Sequence, residues 1–133
     1  LFNMQLKGIH HIALNVTDLD RSEHFYTDIL GFSVTHRFSK GLRHIMLDTG
    51  NAHLALFETP DLNMKPALEQ LSDKGYMHFA FETTREEFIK IIDELNDKKV
   101  SVDSGPVVRG EGESIYFKDP DQNHLEIRCD AKS

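Results

Sequence analysis

GIHHIALNV, residues 8–16, sets two adjacent histidines ahead of an alternation of large apolar and small residues. Side chains alternate across a β-strand, so Ile12, Leu14 and Val16 share one face while His11, Ala13 and Asn15 share the other. Parity assigns His10 to the apolar face. The pattern then returns: His78-Phe79-Ala80-Phe81 repeats His11-Ile12-Ala13-Leu14, and His124-Leu125-Glu126-Ile127 repeats His53-Leu54-Ala55-Leu56. Two copies of one half-sized unit are implied. A half that cannot bury its own sheet face must pair with its sibling or with another chain.

Outward from that stretch, Thr17 or Asp18 can cap a helix over RSEHFYTDIL, with Phe25, Ile29 and Leu30 on one face and a stop at Gly31. FSVTHRF, RHIMLDT and HLALFET read as strands, the last two separated by GNA, a hairpin signal. PDLNMKPALEQLSDKG carries two prolines and reads as a connection. YMHFAFET is a strand, TREEFIKIIDELNDK an amphipathic helix starting near Thr84, and VSVDSGPV, ESIYFKD and HLEIR are three more strands. The expected fold is α+β, with two βαβββ modules forming a curved mixed sheet. One domain spans 1–133: module one about 7–60, a connecting loop about 61–73, and module two about 74–130.

Composition narrows the function classes. The 133 residues hold 15 basic and 22 acidic side chains, a net charge of -7 that repels phosphate backbones and argues against nucleic acid. A small ligand, including a cationic one, remains compatible. No apolar run approaches the roughly 18 residues that cross a bilayer, and LFNMQLKG lacks a basic start followed by an apolar core, so no membrane partner and a cytoplasmic location are expected. The first Met is Met4, which leaves a processing origin open for residues 1–3. Cys129 stands alone, so no intrachain disulfide exists.

The same parity places Phe79 and Phe81 under the second helix and His78, Ala80 and Glu82 on the opposite, cavity face. Ile115, Phe117, Leu125 and Ile127 go to the core; Ser114, Tyr116, His124, Glu126 and Arg128 go to the cavity. Two imidazoles and a carboxylate, His11, His78 and Glu126, thus face cavities lined by small residues such as Ala13, Asn15, Ala55 and Ala80. That trio suits one divalent ion with coordination positions left for substrate; iron, manganese, nickel, cobalt and zinc all remain open. The plainer meaning of a strand histidine, a partly exposed or hydrogen-bonded side chain, is assigned to His10, His24, His36 and His44. His53 and His124 precede the Ala55 and Glu126 positions by two residues and line the pocket.

HIALNVTDLDRSEHFYTDILGF, YMHFAFET and SIYFKDPDQNHLEI resemble the vicinal-oxygen-chelate superfamily, which includes glyoxalase I, extradiol dioxygenases, fosfomycin-resistance enzymes, methylmalonyl-CoA epimerase and bleomycin-binding proteins. The resemblance covers nearly the whole chain. It implies the same metal ligands, His11, His78 and Glu126, and a homodimer in which His11 of one subunit faces His78 and Glu126 of the other. Some members use a fourth ligand where this chain has Ala55, whose methyl cannot coordinate. Fosfomycin enzymes share the GEGESIYF pattern but carry Thr at the Ala13 position and an Arg on a carboxyl-terminal extension. Extradiol dioxygenases place an acid/base His where VVR stands. Gln122 replaces the Gly usual in its turn.

The resemblance implies Lewis-acid activation of adjacent oxygens on a small oxygenated substrate, by lyase, isomerase or dioxygenase chemistry or by addition to an electrophile. Tyr116 is the candidate catalytic donor, or else a cap on the pocket. Glu82 and Arg128 either orient a polar substrate group or make surface pairs. RGEGE, residues 109–113, is a loop able to close over the site, or a plain turn. Two rivals remain: a metal-free, drug-sequestering protein of the bleomycin-resistance type, and an interaction module with a vestigial site.

Overall fold

Two four-stranded sheets of the same strand order dominate the computed structural model, which describes residues 4–61 and 77–130. The chain divides into two compact units, Leu1–Leu62 and Asn63–Ser133. The expected connecting loop lies outside the described residues beyond residue 61. Among the described residues no helix is long and apolar enough to cross a membrane.

In the first unit the strands are β1 (His11–Val16), β2 (Ser33–Phe38), β3 (His44–Asp48) and β4 (His53–Glu58), in the order β1-β4-β3-β2. β1 runs parallel to β4, and the other pairs are antiparallel. Burial alternates along β1 as parity demands, with Ile12 and Leu14 more buried than His11, Ala13 and Asn15, and Val16 fully enclosed. Leu19, Phe25, Tyr26, Ile45, Leu47, Leu54 and Leu56 complete this core. Removing a buried Leu or Ile side chain from such packing typically costs about 2–5 kcal/mol.

The first helix departs from the expected one. Only Leu19–His24 (α1) is α-helical, capped by the Asp18 carboxylate accepting from Arg21 N–H at 3.1 Å. Phe25–Ile29 then widen into a π-helical turn, with Leu30 N–H donating to Phe25 O at 3.1 Å. The wider turn buries two consecutive aromatics, Phe25 and Tyr26, instead of the Phe25/Ile29/Leu30 stripe; Ile29 and Leu30 stay half-buried. Gly31, at φ 83°, ends the segment, in a conformation that costs glycine little. His10 departs too. It lies just before β1 and is exposed, so its ring does not join the buried face that Ile12, Leu14 and Val16 form.

The second unit repeats the order as β5-β8-β7-β6, with β5 (His78–Glu82), β6 (Ser104–Arg109), β7 (Gly112–Lys118) and β8 (His124–Cys129). Its helix α2 (Arg85–Asp97) is capped by Thr84 Oγ1, which accepts from Glu87 N–H at 3.2 Å, and buries Phe88 and Leu95, one face of a 3.6-residue period. The sheet's buried face holds Ile115, Phe117, Leu125, Ile127 and Cys129. β6 begins four residues later than the expected strand over 100–107, although Asp103 N–H still donates to Tyr116 O at 2.7 Å.

The turn between β7 and β8 sets the register on which the site depends. Asp119, almost wholly buried, accepts at one oxygen from the backbone N–H of Asp121 and Asn123, both at 2.9 Å, and at the other from Asn123 Nδ2. Gln122 stands at φ 69°, the left-handed region that the customary Gly would occupy without strain. With this turn closed, Tyr116 pairs with Glu126 and Ser114 with Arg128.

Candidate metal and substrate site

Cross-strand register assembles one polar face in the second unit. His78 pairs with His124, Ala80 with Glu126 and Glu82 with Arg128; across the next ladder Tyr116 pairs with Glu126 and Lys118 with His124. His78, Ala80, Ser114, Tyr116, His124, Glu126 and Arg128 therefore share the face to which parity assigns them. His78 Nε2 lies 3.2 Å from Glu126 Oε1. The Glu126 side chain is only 7% exposed, and its second oxygen accepts from Ser114 Oγ at 2.6 Å. A carboxylate that deep needs such partners, because its desolvation otherwise opposes charge.

The spacing fits a shared ion. With metal–ligand bonds of about 2.1 Å, two donors at right angles stand about 3.0 Å apart, and tetrahedral donors about 3.4 Å apart. The observed 3.2 Å falls between these spans. Ser114 holds one Glu126 oxygen and leaves the other beside the imidazole. Among the described residues no group of three or more His, Cys, Asp or Glu side chains is placed to hold a metal ion, so His78 and Glu126 are brought together without a third such ligand. The third candidate, His11, belongs to the first unit.

Tyr116 has a partner that the sequence did not reveal. Its hydroxyl accepts from Arg109 Nε–H at 3.1 Å, and the guanidinium carbon sits 5.7 Å from the ring centroid. With a lone pair so engaged, the phenol proton is left to donate elsewhere. RGEGE forms a tight hairpin rather than a long closing loop: Arg109 pairs with Gly112 around the two-residue turn Gly110–Glu111. Arg128 makes a surface pair with Asp130 at 2.9 Å, the plainer of its two assignments, and that carboxylate's hydrogen bond raises the Arg128 pKa above its ordinary value.

The first unit presents a different face. His11 pairs with His53, Ala13 with Ala55 and Asn15 with Phe57, so Ala55 stands where the second unit has Glu126. Beyond them runs a ladder of flat rings. His36 stacks on Phe38 at 5.9 Å between centroids, Phe38 on His44 at 4.4 Å, and His44 on Phe57 at 4.4 Å. Sequence reasoning missed this ladder because a register shift between Val34 and His36 changes the pairing at the β2 end. At the start of β1, His10 Nδ1 meets His11 Nδ1 at 2.8 Å, and the His10 ring stacks on His53 at 5.7 Å.

Comparison with known proteins bears on the family. Residues 8–127 match the model of the Glyoxalase/Bleomycin resistance protein/Dioxygenase superfamily. The chain is 30% identical over 122 residues to the glutathione transferase FosA of Serratia marcescens, spanning 92% of this chain and 80% of that protein. It is likewise 30% identical to the metallothiol transferase FosB of Lysinibacillus sphaericus, spanning 93% and 83% of the two. Among solved structures, a glyoxalase/dioxygenase from Nostoc punctiforme is 31% identical with a TM-score of 0.78, covering 98% of this chain and 99% of that one. A family match over residues 8–127, joined to relatives 30% identical over more than nine-tenths of this chain, means that this protein belongs to the glyoxalase/bleomycin resistance protein/dioxygenase superfamily.

Proposed function

We propose that the protein is a divalent-metal-dependent enzyme that acts on a small oxygenated molecule, with His11, His78 and Glu126 as ligands. The observation that carries this is the His78–Glu126 contact at 3.2 Å, with the buried carboxylate fixed from behind by Ser114. A purely stacking drug groove has no use for a desolvated carboxylate beside an imidazole, which weighs against the metal-free alternative. Iron, manganese, nickel, cobalt and zinc all match an imidazole and carboxylate donor set.

When bound, the ion would supply Lewis-acid activation of adjacent substrate oxygens. The chain's own residues do the rest. Glu126 contributes negative charge that favours a cation, and Ser114 keeps its carboxylate from rotating away. Tyr116, held by Arg109, offers its O–H to a substrate oxygen. Ala13, Ala55 and Ala80 leave room where larger side chains would obstruct.

The transferase names of the two relatives support addition of a nucleophile to an electrophile over lyase, isomerase or dioxygenase chemistry. Ala13 lacks the hydroxyl that the resemblance associates with fosfomycin, which points to a different electrophile. A homodimer in the cytoplasm completes the proposal.

Untagged protein analysed for bound metals, then titrated with divalent ions, provides the test. Close to one equivalent per chain is expected, and less than about a tenth of an equivalent with no rise on titration would overturn the reading. Metal-loaded protein is then screened against epoxides with thiols, hemithioacetals and catechols, with and without oxygen. Turnover of epoxides with thiols alone is expected; oxygen-dependent turnover of catechols would replace transfer by dioxygenase chemistry.

A further inference from the structure

We propose that His10 is a positioning residue that sets the tautomer of His11 and keeps the Nε2 lone pair of that imidazole available to a metal ion. This rests on the assignment of His11 as a ligand. The Nδ1 atoms of the two rings lie 2.8 Å apart. A neutral imidazole carries one N–H, so a bond between two Nδ1 atoms requires one ring to donate and the other to accept.

Only two arrangements satisfy that bond. In one, His11 donates from Nδ1 and its Nε2 carries a lone pair. In the other, His10 donates, and the His11 hydrogen sits on Nε2, where it blocks coordination. A metal-ligating histidine ordinarily gives its second ring N–H to a carboxylate, a carbonyl or water, and that bond fixes both tautomer and ring orientation. Here an imidazole nitrogen takes the acceptor role.

The surroundings hold His10 in place for it. Its ring meets His11 edge-on, with centroids 5.1 Å apart and planes 81° apart, and stacks on His53 at 5.7 Å and 27°. Its carbonyl accepts from His53 N–H at 3.0 Å, which extends the β1–β4 pairing one residue past the strand. The backbone bond fixes the His10 main chain and the stack on His53 backs its ring, which together keep one exposed side chain beside its neighbour. An exposed histidine with no task would be free to sample other rotamers.

The test uses metal-free, nitrogen-15-labelled protein at a pH well above the ordinary imidazole range. Long-range proton–nitrogen correlation reads the His11 tautomer directly. The Nδ1–H form is expected in the unsubstituted protein, and the Nε2–H form in His10→Leu. Zinc and manganese affinities, measured by chelator competition, should fall about ten- to a hundredfold in His10→Leu. They should recover in His10→Asn, whose amide oxygen can accept in place of Nδ1. If His11→Ala loses metal while His10→Leu keeps both affinity and tautomer, the proposal is overturned and the ligand assignment stands. If His11→Ala binds metal as tightly as the unsubstituted protein, the ligand assignment itself fails, and the proposal with it.

Discussion

The two units share a strand order and a register, yet one position separates their chemistry. Ala55 pairs with Ala13 in the first unit; Glu126 pairs with Ala80 in the second. Around the methyl, the sheet face carries stacked rings; around the carboxylate, it carries Ser114, His78 and Tyr116. The scaffold therefore does not dictate the site. A single repeat position, changed from methyl to carboxylate, needs a hydroxyl behind it and an imidazole beside it to be tolerated at that depth.

The largest difference between the two units lies in what each ring is packed against. Phe117→Ala in the second unit should lower unfolding stability by about 3–5 kcal/mol in urea titrations, against about 1 kcal/mol for the half-buried ladder ring in Phe57→Ala. Equal losses would mean that the ladder is as structural as the core. His78→Ala should weaken metal binding about a hundredfold or more, roughly 2.7 kcal/mol, while Ala55→Glu should create no second site by calorimetry. A second equivalent of metal in Ala55→Glu would show the register alone to be sufficient.

Ser114→Ala sharpens the contrast at smaller scale. It strands the second Glu126 oxygen and should cost about 1–3 kcal/mol of stability in the metal-free protein, a penalty that bound metal partly offsets. Gln122→Gly should raise stability by about 1 kcal/mol through relief of the left-handed conformation, read as a higher melting temperature. The smallest effect lies in the first unit. The hydrogen bond from Arg37 holds the Glu23 carboxyl below its ordinary 4.5. Its stabilisation is present above that value and is lost as pH falls through the lowered pKa. The stability difference between Glu23→Gln and the unsubstituted protein should therefore be largest near neutrality and vanish in acid.

Much of this was legible in the sequence. Alternation in SIYFKDPDQNHLEIR placed Ser114, Tyr116 and Glu126 on one face and Ile115, Phe117, Leu125 and Ile127 on the other, because both strands are pinned along their length by the ladder and the Asp119 turn. Parity failed at His10, which precedes β1 and is exposed although its carbonyl accepts from His53 N–H. Helical periodicity failed at Phe25–Ile29, since a π-turn adds a residue to the turn and rotates Tyr26 inward. The Arg109–Tyr116 bond and the aromatic ladder depend on cross-strand pairing that no local pattern encodes. The carboxyl-side hydroxyl, Ser114, was assigned to the right face but not to its partner.

Gly112 carries a last consequence. A Cβ there would run into the Cys129 carbonyl oxygen, so the first residue of β7 tolerates no side chain, and the Arg109–Gly112 pair is anchored at one end. One extra residue between them would swing the guanidinium to the reverse side of the sheet, away from the phenol. Homologues that keep the tyrosine should vary freely in what the hairpin tip contains, yet never in how many residues it counts.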